Sequence, residues 1–466
     1  MSSSDASLSS HAIAYRRLLA RYFNLLLPPD ASVLEVGCGT GMLLKHLAAS
    51  RRVGIDIDPQ AVAAAREQVP DAEFQEADGN HLQLEESFDT VILSDTINYV
   101  PDVQSIFAQI RRISTPTTRL IITLPNTLWR PVFALADKLG WRRSHPPSSW
   151  LSDRDVHNLL SLADWEPIKT QSRIIFPYAG GFIERALNRW VAPLLPWFCL
   201  TQFIVARPAR DQARSSNTLR RTLQAPDETT VSIVVPARNE AGNIEAAITR
   251  TPPMGKWTEF IFVEGGSSDN TWEEILRVQK AYPAVRIKAL QQSGKGKGNA
   301  VRDGFAQAEG DVLMILDTDL TMPPEELPKY FHAVTAGHCE FANGCRLVYP
   351  MDKHAMQFLN MLANKTFGVL FSWLLGQPVK DTLCGTKVLR RSDYERIAAN
   401  RAYFGDFDPF GDFDLLFGAD RLGLKIRDIP IRYRDRTYGS TNISRWSHGW
   451  LLLRMVLFAA RKLKFV

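Results

Sequence analysis

Twice along its length this chain opens an apolar, β-branched run that breaks at a turn: "SVLEVGCG" at 32–39 and "VSIVVPARN" at 231–239. Between the two lies "RPARDQARSSNTLRRTLQAPDETT" (207–230), a polar and basic stretch. After each opening, apolar runs of strand length alternate with helical patterns, the order expected of α/β architecture. A chain that starts this pattern afresh makes two such units. Its 466 residues are also more than one ordinary core holds. The expected organisation is one domain over 1–206, a linker over 207–229 and a second domain over 230–466.

Apolar content of 45% and charged content of 23% exclude a disordered chain. The cysteines Cys38, Cys199, Cys339, Cys345 and Cys384 are scattered with no CxxC pair, which argues against a disulfide framework or a zinc site and fits a reducing compartment. The start "MSSSDASLSSHAIAYRR" lacks a basic stretch followed by an apolar core, so no secretory leader is expected. A net charge of +5 is modest for this length, and nucleic acid is not an expected partner. Charge placement says more. From Arg445 onward there are five basic residues and no acid, interleaved with "WLLLRMVLFAARKLKFV", which suits a helix lying in a membrane interface or a packed helix with a basic rim.

In the first half, "VLEVGCGTGMLLKHL" reads as strand, glycine turn and helix. Gly37, Gly39 and Gly41 let the backbone turn tightly and approach a ligand. A dinucleotide fingerprint would need Gly or Ala where Met42 stands. The pattern E-x-G-x-G-x-G instead resembles motif I of class I S-adenosylmethionine-dependent methyltransferases. That resemblance covers roughly 12–206 and implies a Rossmann-like domain with S-adenosyl-L-methionine as cofactor. It assigns cofactor contacts to Glu35, Gly37, Gly39 and Gly41, to Asp56 at the end of "RRVGID" for the ribose hydroxyls, and to Asp78 in "FQEADGNHL" for the adenine amine. "FDTVILSDTINYVPD" and "RLIITLPN" resemble the fourth and fifth strands, and "TQFIVARP" the last. Tyr99 stands where many relatives carry His, so no general base stands out and the methyl acceptor is open. A domain that binds cofactor without catalysis is the alternative. The uncharged stretch "WVAPLLPWFCLTQFIVA" carries Pro193 and Pro196, which break a spanning helix. Residues 182–198 therefore read as an amphipathic insertion that either touches membrane or packs into the core.

In the second half, "VLMILDTDLTMPP" ends an apolar run with Asp317 and Asp319. On a strand, side chains two apart share a side, so these carboxylates would converge and repel unless a cation sits between them. A solvated turn is the alternative for the pair taken alone. The flanking segments decide: "VSIVVPARNEAGNIEAAI", "EFIFVEGGSSDNTWEEI", "SGKGKGNAVRDGF", "DTLCGTKVLRRSDYERI" and "GDFDLLFGADRLGLKIRDIPIRYRDRTYGSTNISRW". In this order they resemble family-two glycosyltransferases, including polyprenyl-phosphate sugar transferases of the dolichol-phosphate mannose synthase type. The resemblance implies a GT-A type domain. Asp317-Thr318-Asp319 becomes the D-x-D motif that holds Mg²⁺ or Mn²⁺ against a donor diphosphate. It assigns donor contacts to Pro236, Ala237, Asn239, Glu240, Glu264, Lys295 and Lys297, with Glu264 in place of the usual nucleobase-reading aspartate. Asp381, Gly385 and Lys387 match the acceptor segment, and Arg436 and Gly439 match the closing one.

The implied reaction moves a sugar from a nucleotide donor to an acceptor. If the acceptor is a polyprenyl phosphate, it needs charge compensation, which Lys387, Arg434 and Arg436 would supply. If it is a sugar hydroxyl of a cell-surface glycan, a general base is required, and Asp412 or Asp414 is the candidate. The apolar stretch 356–376, interrupted by Lys365, together with the basic C-terminal helix, favours the lipid acceptor. The expected placement is cytoplasmic, peripheral at the inner face of the cell membrane.

Overall fold

The computed structural model describes residues 10–138, 151–178, 181–209, 228–349, 358–401, 412–434, 438 and 445–466. The chain forms two compact units, Met1–Asp211 with Arg461–Val466, and Gln212–Ala460. Arg436, Gly439 and most of the linker fall outside the described residues, as does the side chain of Asp412.

The first unit is built on β1 (Ser32–Val36), β2 (Arg51–Asp56), β3 (Glu73–Glu76), β4 (Thr90–Ser94), β5 (Arg119–Pro125), β6 (Trp165–Arg173) and β7 (Thr201–Pro208). Their spatial order is β3-β2-β1-β4-β5-β7-β6. The first five run parallel, and β7 pairs antiparallel with both β5 and β6. Both faces are covered, which is why the strands read as nearly unbroken apolar runs. Val33, Ile92, Ile121 and Phe203 pack on one face with Leu19 and Phe23 of the helix Ser10–Leu26. Leu34, Val91, Leu93 and Ile122 pack on the other with Ile106, Phe107 and Ile110 of the helix Val103–Arg112. Strand alternation thus assigns each side chain to its layer.

The second unit holds β8 (Val231–Ala237), β9 (Thr258–Glu264), β10 (Arg286–Gln291), β11 (Val312–Ile315), β12 (Phe341–Cys345), β13 (Lys387–Arg390) and β14 (Ile426–Pro430). The order is β10-β9-β8-β11-β13-β12-β14. The first four strands are parallel, β13 is antiparallel to β11 and β12, and β14 runs parallel to β12. Ile233, Val235, Phe260, Phe262 and Met314 centre one of its buried clusters.

In each sheet the chain crosses from one side of its first strand to the other, between β1 and β4 and between β8 and β11. Open α/β sheets bind ligands outside the carboxyl ends of the strands at such a crossing. Both groups of motifs lie at those ends.

Candidate active sites

At the crossing of the second sheet, β11 stops at Ile315, so Asp317 follows the strand and Thr318 and Asp319 form a turn. The strand rule expected to aim both carboxylates to one side does not govern them. The turn does: Leu320 N–H donates to the Asp317 carbonyl at 3.1 Å, and Leu320 takes a left-handed φ of 49°, rare for a leucine. The Thr321 N–H and hydroxyl hold Asp319 Oδ1 at 3.1 and 2.8 Å. Backbone strain of this kind is costly and gathers at functional sites.

Three separate motifs meet here. Lys297, first residue of the helix Lys297–Ala306, places Nζ 2.6 Å from Asp317 Oδ1. A Cβ on Gly385 would land on that carboxylate and on the same Nζ, so any larger residue would have to push this ion pair aside. Burial pushes the Asp317 carboxyl up, but Lys297, then Lys387 and Arg346, outweigh it and hold the group below its ordinary range. Arg434 N–H donates to the Thr321 carbonyl at 3.0 Å, which sets this exposed arginine beside the same turn.

The donor loops are sewn together. Ala237 lies opposite Glu264 in the β8–β9 register, with Pro236 opposite Val263. The Thr318 hydroxyl donates to the Pro236 carbonyl, joining this loop to the acid turn. Asn239, left-handed at φ 56°, donates its N–H to Ser267 Oγ at 3.0 Å and accepts at Oδ1 from Ser268 N–H at 2.7 Å. Glu240 N–H donates to Thr271 Oγ1, and Glu240 Oε2 accepts from the Asn243 amide at 2.7 Å. Glu264 Oε1 accepts from Ser267 N–H at 2.5 Å. Lys295 is exposed in the loop before the Lys297 helix.

Two candidate residues are buried. Lys387 has no exposed surface, and its ammonium donates to the Cys384 carbonyl. From within the sheet its charge acts on Asp317. Asp414 is almost fully buried and bound to Arg401 at 2.7 Å, so a base at this position would have to give up its cation. Asp381 is a structural hub. It accepts from Arg346 Nε and Nη2 at 2.7 and 2.8 Å, from the Asn364 amide at 2.9 Å and from Leu383 and Cys384 N–H at 3.1 Å. Burial opposes ionisation, yet Arg346 and these donors hold the carboxyl at about 2.

At the crossing of the first sheet, Gly37, Gly39 and Gly41 all take positive φ. A Cβ on Gly37 would sit 2.6 Å from Thr96 Cγ2, so glycine is required where the loop after β1 meets the loop after β4. Gly39 N–H donates to Asp56 Oδ2 at 2.7 Å. Asp78 caps its turn through Asn80 N–H and meets His81 Nδ1 at 3.0 Å; the His81 bond, then Asn80, hold it below the usual carboxylate range. Glu35 is 2% exposed and its Oε2 has no hydrogen-bond partner. Burial drives its carboxyl up to about 8; Arg16 opposes this, and Asp56 and Asp95 add to it. An orphaned buried oxygen beside a glycine cradle leaves a polar group unsatisfied next to the candidate cofactor loop.

Residues 232–398 match the family model "Glycosyl transferase family 2" and residues 34–122 match "Methyltransferase domain". This chain joins a methyltransferase domain to a family 2 glycosyltransferase domain. Among curated relatives, it is similar to a dolichol-phosphate mannosyltransferase of Pyrococcus furiosus, 31% identical over 46% of this chain and 59% of that protein. It is also similar to an undecaprenyl-phosphate 4-deoxy-4-formamido-L-arabinose transferase of Yersinia pestis, 37% identical over 46% and 62%. The chain thus spans under two thirds of these relatives' lengths. A Thermotoga maritima S-adenosylmethionine-dependent methyltransferase, described as a possible histamine N-methyltransferase, is 20% identical over 42% of this chain and 90% of its own, with a TM-score of 0.32, too loose a likeness to bear on the site.

Several site residues carried no sequence signal. In the methyltransferase domain, Arg16 donates to Ser94 Oγ at 2.8 Å and lies 3.6 Å from Asp95, which is itself left-handed at φ 57°. Its neighbour Tyr15 shares a hydrogen bond with Thr201 Oγ1 at 2.9 Å. In the glycosyltransferase domain, Arg346 follows β12 and matches no motif. These residues reach their sites across the sheets from distant parts of the chain, so local spacing could not reveal them.

Proposed function

We propose that the glycosyltransferase domain transfers a sugar from a nucleotide-sugar donor to a polyprenyl phosphate, and that the methyltransferase domain transfers a methyl group from S-adenosylmethionine. The observation that carries the first part is the meeting of Lys297, Asp317 and Gly385 at the carboxyl edge of the sheet. Three motifs that are far apart in sequence serve one point in space.

Among the described residues no group of three His, Cys, Asp or Glu could hold a metal alone. Mg²⁺ and Mn²⁺ do not require one: such ions bind through one or two carboxylates and take phosphate oxygens and waters for the rest. Asp317 and Asp319 fit that donor set. A divalent ion there would neutralise charge on the leaving nucleoside diphosphate. Lys297 and Lys295 face the donor phosphates. The β8 and β9 loops, with Pro236, Ala237, Asn239, Glu240 and Glu264, hold the nucleoside. Arg434, with Arg436 of the closing segment, compensates the acceptor phosphate, and arginine's planar fork suits phosphate oxygens.

A lipid phosphate is anionic and needs no deprotonation. A hydroxyl acceptor needs a base; the Arg401 ion pair makes Asp414 a poor one, which leaves Asp412 as the candidate for that reading. The helix Arg445–Leu463 supports a bilayer-bound acceptor, since it buries Leu452, Met455, Val456 and Ala459 and exposes Trp450, Leu453, Arg454, Leu457 and Arg461. A mixed apolar and basic stripe is the pattern of a helix lying in the interface. No described helix is long and apolar enough to cross a membrane. The reading places the protein at the cytoplasmic face.

In the methyltransferase domain, S-adenosylmethionine would supply an electrophilic methyl group. Asp56 and Asp78 would take the nucleoside hydroxyls and amine, and Gly37–Gly41, with Glu35 on the strand behind them, would let the backbone close on the ligand. Orientation of the acceptor does much of the remaining work.

The test is incubation of the full chain with nucleotide sugars, undecaprenyl phosphate and Mn²⁺. Sugar should appear in the lipid extract, and Asp317→Ala should abolish it without lowering the melting temperature much. No lipid-linked product across donors, or full activity in Asp317→Ala, would refute the reading.

A further inference from the structure

The methyltransferase domain leaves an apolar surface uncovered. The helix Phe182–Ala186 runs into the π-helical turn Leu187–Val191 and ends before the 3-10 turn Pro196–Phe198. Asn188 pins this segment inward: its Oδ1 accepts from Ile175 and Phe176 N–H at 2.9 Å, and its amide donates to the Phe176 carbonyl at 2.7 Å. With a polar residue turned in, Ala192 and Cys199 are buried beside it while the largest apolar side chains turn out. Phe182 is 87% exposed and Trp197 72%, with Ile183, Leu194 and Phe198 also exposed. The sequence left this insertion open between membrane and core. A core segment would not bury its asparagine and expose its phenylalanines.

A second element extends the surface. The helix Arg130–Lys138 exposes Val132 and Leu135, and Leu128 just before it is exposed too. It is tied to the first segment through Trp129, whose indole N–H donates to the Phe198 carbonyl at 3.1 Å. Asn126 adds to the tie, donating to the Trp197 and Cys199 carbonyls at 2.9 and 3.0 Å. An open cleft of about 540 Å³ lies where they meet, with Leu128, Pro196 and Trp197 at its apolar side and Asn126, Asp153, Thr170 and Gln202 at its polar side. Contiguous exposed apolar surface on this scale marks an interaction site.

The charges name the partner. Arg130, Lys138, Arg185 and Arg189 are exposed around the apolar residues, and the Arg189 guanidinium lies 5.5 Å over the Trp190 ring. Glu184 is turned toward the Asn188 amide at 3.2 Å. Against the acids Asp153 and Glu184 stand the four cations, so two copies packed through this face would oppose a net positive charge with the same. Tryptophan and arginine around a phenylalanine and leucine centre instead suit a lipid headgroup boundary, with arginines on lipid phosphates and rings below them. We infer that this face of the methyltransferase domain docks on an anionic lipid bilayer.

The face adjoins the carboxyl edge of the sheet, since Asn126 follows β5 and Thr201 begins β7. A methyl acceptor anchored in the bilayer would reach the crevice beside Asp95 without leaving the membrane. That consequence rests on the methyl-transfer reading; the docking does not.

The test uses the full chain, vesicles of phosphatidylcholine with or without phosphatidylglycerol, and a photoactivatable phosphatidylglycerol whose label is located by mass spectrometry. Label is expected on peptides covering 127–138 and 182–198. It should fall about fivefold or more in Phe182→Ser/Trp197→Ser/Phe198→Ser, in vesicles without phosphatidylglycerol, and at high salt. Label confined to other segments of a vesicle-bound protein overturns the inference, and so does label that ignores lipid charge. A lipid-free dimer in sedimentation velocity, abolished by the triple variant, would give the face to a second copy and overturn it too. If the variant does not fold, the wild-type labelling map decides alone. None of these readouts depends on sugar or methyl transfer, so failure here is distinct from failure of the activities.

Discussion

Glu35→Gln should remove a pH dependence that is built into the first sheet. Glu35 points to the face covered by the helix Ser10–Leu26, is 2% exposed, and its Oε2 has no partner. Burial, the first cause, raises its carboxyl from the ordinary 4.5 to about 8. The folded domain therefore keeps this proton up to about pH 8, while the unfolded chain releases it near 4.5. Stability from this group is full below about pH 4.5, falls as pH rises toward 8, and is level beyond it. At about 1.4 kcal/mol per pH unit, the interval from 4.5 to about 8 corresponds to a loss of about 5 kcal/mol. Glutamine has the shape of the protonated acid and no charge to bury. Urea unfolding of wild type and Glu35→Gln, followed at the methyltransferase domain's transition from about pH 5 to about pH 9, is the assay. The wild type should lose stability relative to the variant across that window, and the gap should stop growing near pH 8. Parallel curves would show that the folded domain meets the charge with something other than Arg16, and the account of the orphaned oxygen would be wrong.

Two further outcomes follow from the second sheet. Gly385→Ala drives a methyl group into the Asp317–Lys297 pair; overpacking of about 1–3 kcal/mol falls on the donor site, so calorimetry should show Mn²⁺ and nucleotide binding weakened about tenfold, with the melting temperature lowered by a few degrees. Unchanged affinity would mean that the pair lies outside the donor site. Asp381→Asn leaves the Arg346 guanidinium buried without its counter-charge, which costs about 3 kcal/mol or more at neutral pH. Because the Asp381 carboxyl sits at about 2, its contribution is present above pH 3.8 and lost as pH falls through 2. Thermal melts of the variant should therefore be lower than wild type at neutral pH and approach it in acid.

Most of the architecture was legible along the chain. Strands such as "VLEV" and "SIVV" are buried on both faces, so they are apolar throughout and announce themselves, and the glycines after β1 mark a turn that only glycine makes. Residue types at the site were legible for the same reason: phosphate and metal chemistry requires acids and cations, and their order matched a known pattern.

Partners were not legible. Nothing near Asp317 in sequence says that Lys297 neutralises it or that Gly385 lies against it, because β13 reaches β11 only through a nonlocal antiparallel pairing. The same pairing buries Lys387, which sequence alone could not show. The insertion at 182–198 is the clearest division. Its composition was amphipathic under either reading, and composition has no inside or outside. Only the packing of Asn188 decided which side faces water, because hydrogen bonds to two backbone amides must be satisfied before apolar residues can choose their neighbours.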